Sequence, residues 1–170
     1  GWVSTEATPE PTAAAQRFSY ETLLKPYTVA EADLVTGEVR ILKEKPAPPG
    51  FDPAKYRVER TFATAGDGTK LPVWLLLRAD HACDGVGAIL LDGYGAYGIA
   101  NDPWFDSHVF SLVDRGVGYA IAQIRGGGEF GRPWYEAGKL ERKPTTFADY
   151  IACAEHLVAE GWCAKDRLAG

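Results

Sequence analysis

Two short apolar runs, residues 86–91 and 117–124, each give way at once to a glycine-rich loop. The loops read Gly93-Tyr94-Gly95-Ala96-Tyr97-Gly98 and Gly126-Gly127-Gly128-Glu129-Phe130-Gly131. A continuous apolar run bounded by turn residues predicts a strand buried on both faces, the pattern of a parallel sheet covered by helices. Between the runs, residues 105–114 place apolar side chains at 105, 109, 110, 112 and 113, which predicts a short helix. After them, Phe147, Tyr150, Ile151, Ala154, Leu157 and Val158 follow helical spacing. Thr146 and Asp149 stand as a capping box, and Gly161 suits the position past the C-terminus. From Arg167 onward the chain enters another strand.

Upstream the pattern is one of hairpins. Strands at 56–64 and 70–77 flank Gly66-Asp67-Gly68, a strong hairpin signal. An earlier pair, Tyr27-Thr28-Val29 running into Ala32 and Leu34, then Val39, Ile41 and Leu42, is joined through Thr36-Gly37. Pro46-Ala47-Pro48-Pro49-Gly50 separates the two regions and is expected to be a boundary. Residues 1–16, rich in Pro, Ala, Thr and Glu without periodicity, are expected to be irregular. The expected architecture is therefore α/β with a mainly parallel sheet over residues 50–170, preceded by a β-rich piece at 17–49.

Composition narrows the function. With 18 Lys+Arg against 23 Asp+Glu the formal charge is −5, which argues against nucleic acid or an anionic membrane as the partner. An apolar share of 46% and a charged share of 24% exclude disordered and fibrous classes. Cys83, Cys153 and Cys163 are odd in number and widely spaced, as for free thiols in a reducing, cytoplasmic compartment. Cys153 and His156 have no second ligand pair beside them, so no metal site is expected. The chain has no Met, begins with Gly and ends in a strand-like Arg167-Leu168-Ala169-Gly170. Both ends read as internal, and the chain is expected to be a piece of a longer protein.

Each glycine loop formally matches Gly-x-Gly-x-x-Gly, so a dinucleotide-binding module must be weighed. Such a site needs a helix to begin within the motif, so that its first amides face the phosphate. Asn101-Asp102-Pro103 separates the first loop from its helix, and Pro133-Trp134 is expected to interrupt the second. Tyr94 and Tyr97 would also crowd a phosphate. Arg125 and Glu129 are expected to pair across their loop, with Asp102 and Asp106 solvated or capping. None of Ser4, Ser19, Ser107 or Ser111 stands in a Gly-x-Ser-x-Gly elbow, and His81, His108 and His156 have no evident nucleophile to serve. A complete catalytic triad is absent from these residues.

The chain carries the spaced motifs Leu91-Asp92-Gly93-Tyr94-Gly95-Ala96-Tyr97-Gly98, Asp114-Arg115-Gly116, Arg125-Gly126-Gly127-Gly128-Glu129-Phe130-Gly131, Trp134-Tyr135-Glu136, Gly138-Lys139, Thr146-Phe147 and Asp149-Tyr150. Together they resemble the prolyl oligopeptidase family of serine peptidases. Tyr56-Arg57 through Asp67-Gly68 extends the likeness, which runs from about Arg17 to Gly170. Tyr-Gly-Ala-Tyr-Gly and Trp-Tyr-Glu are most similar to the oligopeptidase B branch, which cleaves short peptides after Arg or Lys. Asp92 departs from the Tyr or apolar residue the pattern carries before Gly93.

The resemblance implies a β-propeller stacked on an α/β-hydrolase domain. Residues 17–49 would be the end of the last blade and its linker, and 50–170 the N-terminal half of the hydrolase domain, stopping short of the triad Ser, Asp and His. It implies that the Tyr94 hydroxyl donates to the oxyanion, that Tyr97 lines the pocket for the residue before the scissile bond, and that no cofactor is needed. Short peptides would be the partners. Another α/β-hydrolase, an esterase or acylaminoacyl peptidase, is the alternative reading.

Overall fold

A computed structural model describes residues 1–7, 10 and 12–170. The chain divides into two compact units, one of residues 1–51 with 103–107 and one of residues 52–102 with 108–170.

The first unit is a four-stranded antiparallel sheet in the order β1-β2-β3-β4. Its strands are β1 (Trp2–Thr5), β2 (Ala15–Thr22), β3 (Lys25–Asp33) and β4 (Val39–Glu44). The expected 27–42 hairpin is β3 and β4, closed where Asp33 Oδ1 accepts from the Val35 and Thr36 amides, each at 2.8 Å. Residues 2–5 correct the expectation of an irregular N-terminal segment, since Trp2 pairs with Glu21 and Thr5 with Phe18. The partner strand lies more than ten residues away, so local composition carried no sign of it. Thr8, Pro9 and Pro11 of that segment lie outside the described residues.

The second unit is a five-stranded sheet in the order β5-β6-β8-β7-β9. Its strands are β5 (Tyr56–Thr64), β6 (Lys70–Arg78), β7 (Ala88–Gly93), β8 (Val117–Ala122) and β9 (Leu168–Ala169). Its helices are α1 (Phe110–Val113), α2 (Arg132–Glu136) and α3 (Lys143–Ala159). The sheet is mixed rather than mainly parallel. β7 runs parallel to β8 and β9, but β6 is antiparallel to both β5 and β8. A tight turn can only return a strand antiparallel, and the Gly66-Asp67-Gly68 turn fixes β5 against β6 in this way.

The sheet alternates between two faces. Leu71, Val73, Leu75 and Leu77 of β6 join Ile89, Leu91, Ala120 and Ala122 in a core closed by Cys153 and Leu157 of α3. On β6 the intervening position Leu76 is buried too, as are Phe110 and Val113 of α1. The Tyr56 ring meets Phe110 edge-on at 4.9 Å, and its hydroxyl donates to Asp114 Oδ1 at 2.7 Å.

Three local expectations change. The helix predicted over 105–114 is confined to Phe110–Val113. Pro133 does not interrupt the second glycine loop; it sits in the first turn of α2, where its missing N–H has no intrahelical partner to lose. And α3 begins at Lys143, so Thr146 and Asp149 lie inside the helix rather than capping it. Its buried stripe is Thr146, Asp149, Cys153 and Leu157, while Phe147 and Ile151 are exposed. The rotation follows from hydrogen bonding: Thr146 and Asp149 must face the end of β8 to meet Arg125.

Candidate active site

Both glycine loops leave the sheet at the C-terminal ends of β7 and β8, which are adjacent and parallel. The connection from β7 leads to β8 on one side, and the connection from β8 leads to β9 on the other. The chain therefore reverses its winding at β7. Ligand sites of open α/β sheets lie outside the strand ends at such a reversal. The loop that starts there carries Tyr94 and Tyr97.

The loop is held by packing of backbone on backbone. Gly98 N donates to Gly126 O at 3.0 Å. A Cβ at Gly126 would fall on the Gly95 carbonyl, and one at Gly128 on the Gly98 carbonyl. Gly126 also has φ +100, a conformation side-chain-bearing residues rarely adopt. The triple glycine thus lets two loops touch, a packing role that argues for itself without a phosphate. The first loop runs to Asn101 without entering a helix, since α1 begins only at Phe110.

At the base of the loops stands Arg125. Its backbone N and Nε donate to Asp149 Oδ2 at 3.1 and 2.8 Å, and Nη2 donates to Asp149 Oδ1 at 2.6 Å. Nη1 donates to Asp67 Oδ2 at 2.5 Å in the β5–β6 turn. Arg125 thus joins hairpin turn, strand end and α3. Its guanidinium is pushed above its ordinary range, chiefly by the Asp149 bonds, and it holds the Asp67 carboxyl far below the usual carboxylate range.

Arg125 does not pair with Glu129, contrary to expectation. Glu129 Oε1 instead accepts from Asn101 N at 2.9 Å, and its buried Oε2 has no hydrogen-bond partner among the described residues. Burial raises its pKa, the Asn101 bond opposes that, and the Asp102 charge adds to it. Asn101 Nδ2 and the Tyr119 hydroxyl both donate to Asp92 Oδ2, at 3.1 and 3.2 Å. The unexpected Asp92 therefore ties the far end of the tyrosine loop back to the sheet.

Tyr94 follows the last residue of β7 and is 48% exposed; Tyr97 is 81% exposed. Tyr97 holds φ +55, strained for a side chain of its size and the kind of outlier that gathers at functional loops. The remaining candidates lie apart from this cluster: His156 Nε2 bonds Thr61 Oγ1 at 2.7 Å and His81 Nε2 the Trp162 carbonyl at 3.2 Å. Lys143 and Thr146 reach the Gly95 carbonyl from α3, a contact across about 50 residues of chain that sequence spacing does not reveal. The one signal for Lys143 was a cation opening a helix.

An α/β protein with two interlocked glycine loops at the ends of adjacent parallel strands is the class these features define. The family model described as "Prolyl oligopeptidase family" matches residues 103–170. The match takes in 68 of the chain's 170 residues. It is 49% identical over 164 residues to dipeptidyl aminopeptidase BI of Pseudoxanthomonas mexicana, covering 96% of this chain and 22% of that protein. Protease 2 of Moraxella lacunata is 37% identical over 150 residues, 88% of this chain and 22% of its own length. The structure of oligopeptidase B from Trypanosoma brucei with covalently bound antipain matches with a TM-score of 0.84 and 41% identity, covering 92% of this chain and 22% of that one. The chain spans about a fifth of the length of the curated relatives it matches.

Proposed function

We propose that the chain forms part of a serine-type oligopeptidase that hydrolyses short peptides after Arg or Lys through an acyl-enzyme. In this reading residues 17–49 close a propeller blade and residues 50–170 form the first half of an α/β-hydrolase domain. The nucleophile would come from residues outside these 170, since none of the chain's serines stands in an elbow. Its attack on the scissile carbonyl places negative charge on that oxygen. The Tyr94 hydroxyl donates to it, and Tyr97 lines the pocket for the side chain before the cut. Water then releases the acyl group. Free thiols at Cys83, Cys153 and Cys163 support a cytoplasmic setting.

The observation that carries this reading is the position of Tyr94. It is the first residue beyond β7, half-exposed, at the winding reversal where β9 comes to lie beside β7. A nucleophile on a turn after a strand in the β9 position would emerge next to it. In the full-length protein, Tyr94→Phe is expected to lower kcat about 100-fold or more with little change in KM. An unchanged kcat refutes the role.

The 49% identity to dipeptidyl aminopeptidase BI favours a second reading, removal of dipeptides from free N-termini. Peptides with blocked and free amino termini separate the two. Cleavage of an acetylated peptide after Arg supports the oligopeptidase, and cleavage only of unblocked peptides supports the aminopeptidase.

A further inference from the structure

Lys143 is the first residue of α3, where the helix dipole presents its positive end. A cation there is disfavoured, and the first turn holds no acidic residue to offset it. The side chain finds its partner across the fold: Lys143 Nζ donates to the Gly95 carbonyl at 2.6 Å. That carbonyl has few other donors. Thr146 Oγ1 stands 3.4 Å away, but its single proton is better placed toward the Arg125 carbonyl at 2.7 Å. Gly95 is buried, and a buried carbonyl without a donor is costly.

Gly95 is the residue after Tyr94 and holds φ +58. A glycine in that conformation has no side chain to keep it there, so its peptide orientation depends on what the carbonyl binds. Behind it, Gly126 packs so closely that no Cβ would fit. The Gly95 carbonyl is thus pressed from one side and held from another.

We propose that Lys143 is a positioning residue for Tyr94: its ammonium fixes the Gly95 carbonyl, and through that peptide sets where the Tyr94 hydroxyl stands. The inference rests on the oxyanion role proposed above. Lys143 does not touch substrate; it acts through the loop.

The test is a double-mutant cycle in the full-length protein, with an Arg-ended fluorogenic peptide and a peptide aldehyde whose tetrahedral adduct carries the oxyanion. Lys143→Met is expected to lower kcat about 10- to 100-fold and to weaken the aldehyde in step, with KM changed less than about 2-fold. Lys143→Arg, which keeps a long cationic donor, is expected to recover most of the loss. Adding Tyr94→Phe to Lys143→Met should cost little more than Tyr94→Phe alone, because both remove the same interaction. Should the Met variant not fold, Lys143→Gln replaces it in the same cycle, with the same sub-additivity expected. A strong Tyr94→Phe effect that multiplies fully with the Lys143 effect overturns the positioning role and leaves the oxyanion role standing. A Tyr94→Phe variant as active as the wild type overturns both.

Discussion

Arg125 and Asp149 meet through a two-pronged ion pair inside the second unit, with the Asp149 side chain fully buried and that of Arg125 10% exposed. The same carboxylate accepts the Arg125 backbone amide, so Asp149 holds the chain just past β8 as well as neutralising the guanidinium. Thr146, one helical turn before Asp149, accepts the task of satisfying the Arg125 carbonyl, and Lys143, a further turn back, reaches Gly95.

Removing Asp149 leaves the Arg125 guanidinium with Asp67 as its one remaining carboxylate and the Arg125 amide without its acceptor; breaking a buried pair in this way costs about 3–5 kcal/mol. Asp149→Ala is therefore expected to lower the unfolding free energy by that amount in urea titrations. A loss under about 1 kcal/mol would show that the pair contributes little.

Gly126→Ala places a methyl group against the Gly95 carbonyl at φ +100. Strain of this kind costs about 1–3 kcal/mol, and relief requires the tyrosine loop to move. The expected result is a lower melting temperature together with reduced kcat in the full-length protein. Wild-type melting and turnover would contradict the interlocked loops.

Glu129 supplies a pH signature. Its folded-state pKa lies above the ordinary glutamate value because burial disfavours the charged form. The folded state therefore holds its proton over a window starting near the ordinary value, and stability falls as pH rises through the raised pKa. Glu129→Gln keeps an acceptor for Asn101 N and removes the charge. Its stability relative to wild type should increase from pH 4 to pH 7, read by denaturant titration at each pH. A constant difference would mean that Glu129 ionises in the folded state as readily as in the unfolded one.

Asp67 carries the opposite sign. Arg125 holds its folded pKa down, so its contribution is present at neutral pH and is lost only as acid protonates it in the folded state. Asp67→Asn should therefore weaken the protein at pH 7, and its deficit relative to wild type should shrink in acid. A pH-independent effect would place the Asp67 contribution in the turn rather than in the charge.

The thiols divide by burial. Cys83 is exposed, whereas Cys153 and Cys163 are buried, and burial pushes the Cys153 thiol up to about 12. A chromogenic disulfide added to the native chain is expected to react quickly with Cys83 alone, and with the other two only on unfolding. Fast reaction of all three would argue against the α3 packing.

The hairpin around Gly66-Asp67-Gly68, both buried strands and the long helix were legible because each depends on neighbours within a dozen residues: alternation, apolar runs, turn glycines and the 3.6-residue period. Spaced motifs carried the family resemblance, and with it Tyr94 and Tyr97, to a loop the structure places at a strand end. What the sequence alone could not decide was which groups face each other across the fold. Helical spacing put Phe147 and Ile151 on the core face, yet the structure exposes them and buries Thr146 and Asp149. Tyr150, Ala154, Leu157 and Val158 do pack on the core, but the helix is turned so that Asp149 meets the Arg125 guanidinium, whose desolvation it offsets together with Asp67. The same holds for Glu129, paired with a backbone amide rather than with Arg125, and for Trp2–Thr5, a strand only because β2 lies alongside. Local chemistry set the elements and the loop that bears the tyrosines. Long-range satisfaction of buried polar groups decided how helix α3 turns, how the two glycine loops interlock, and where that loop is held.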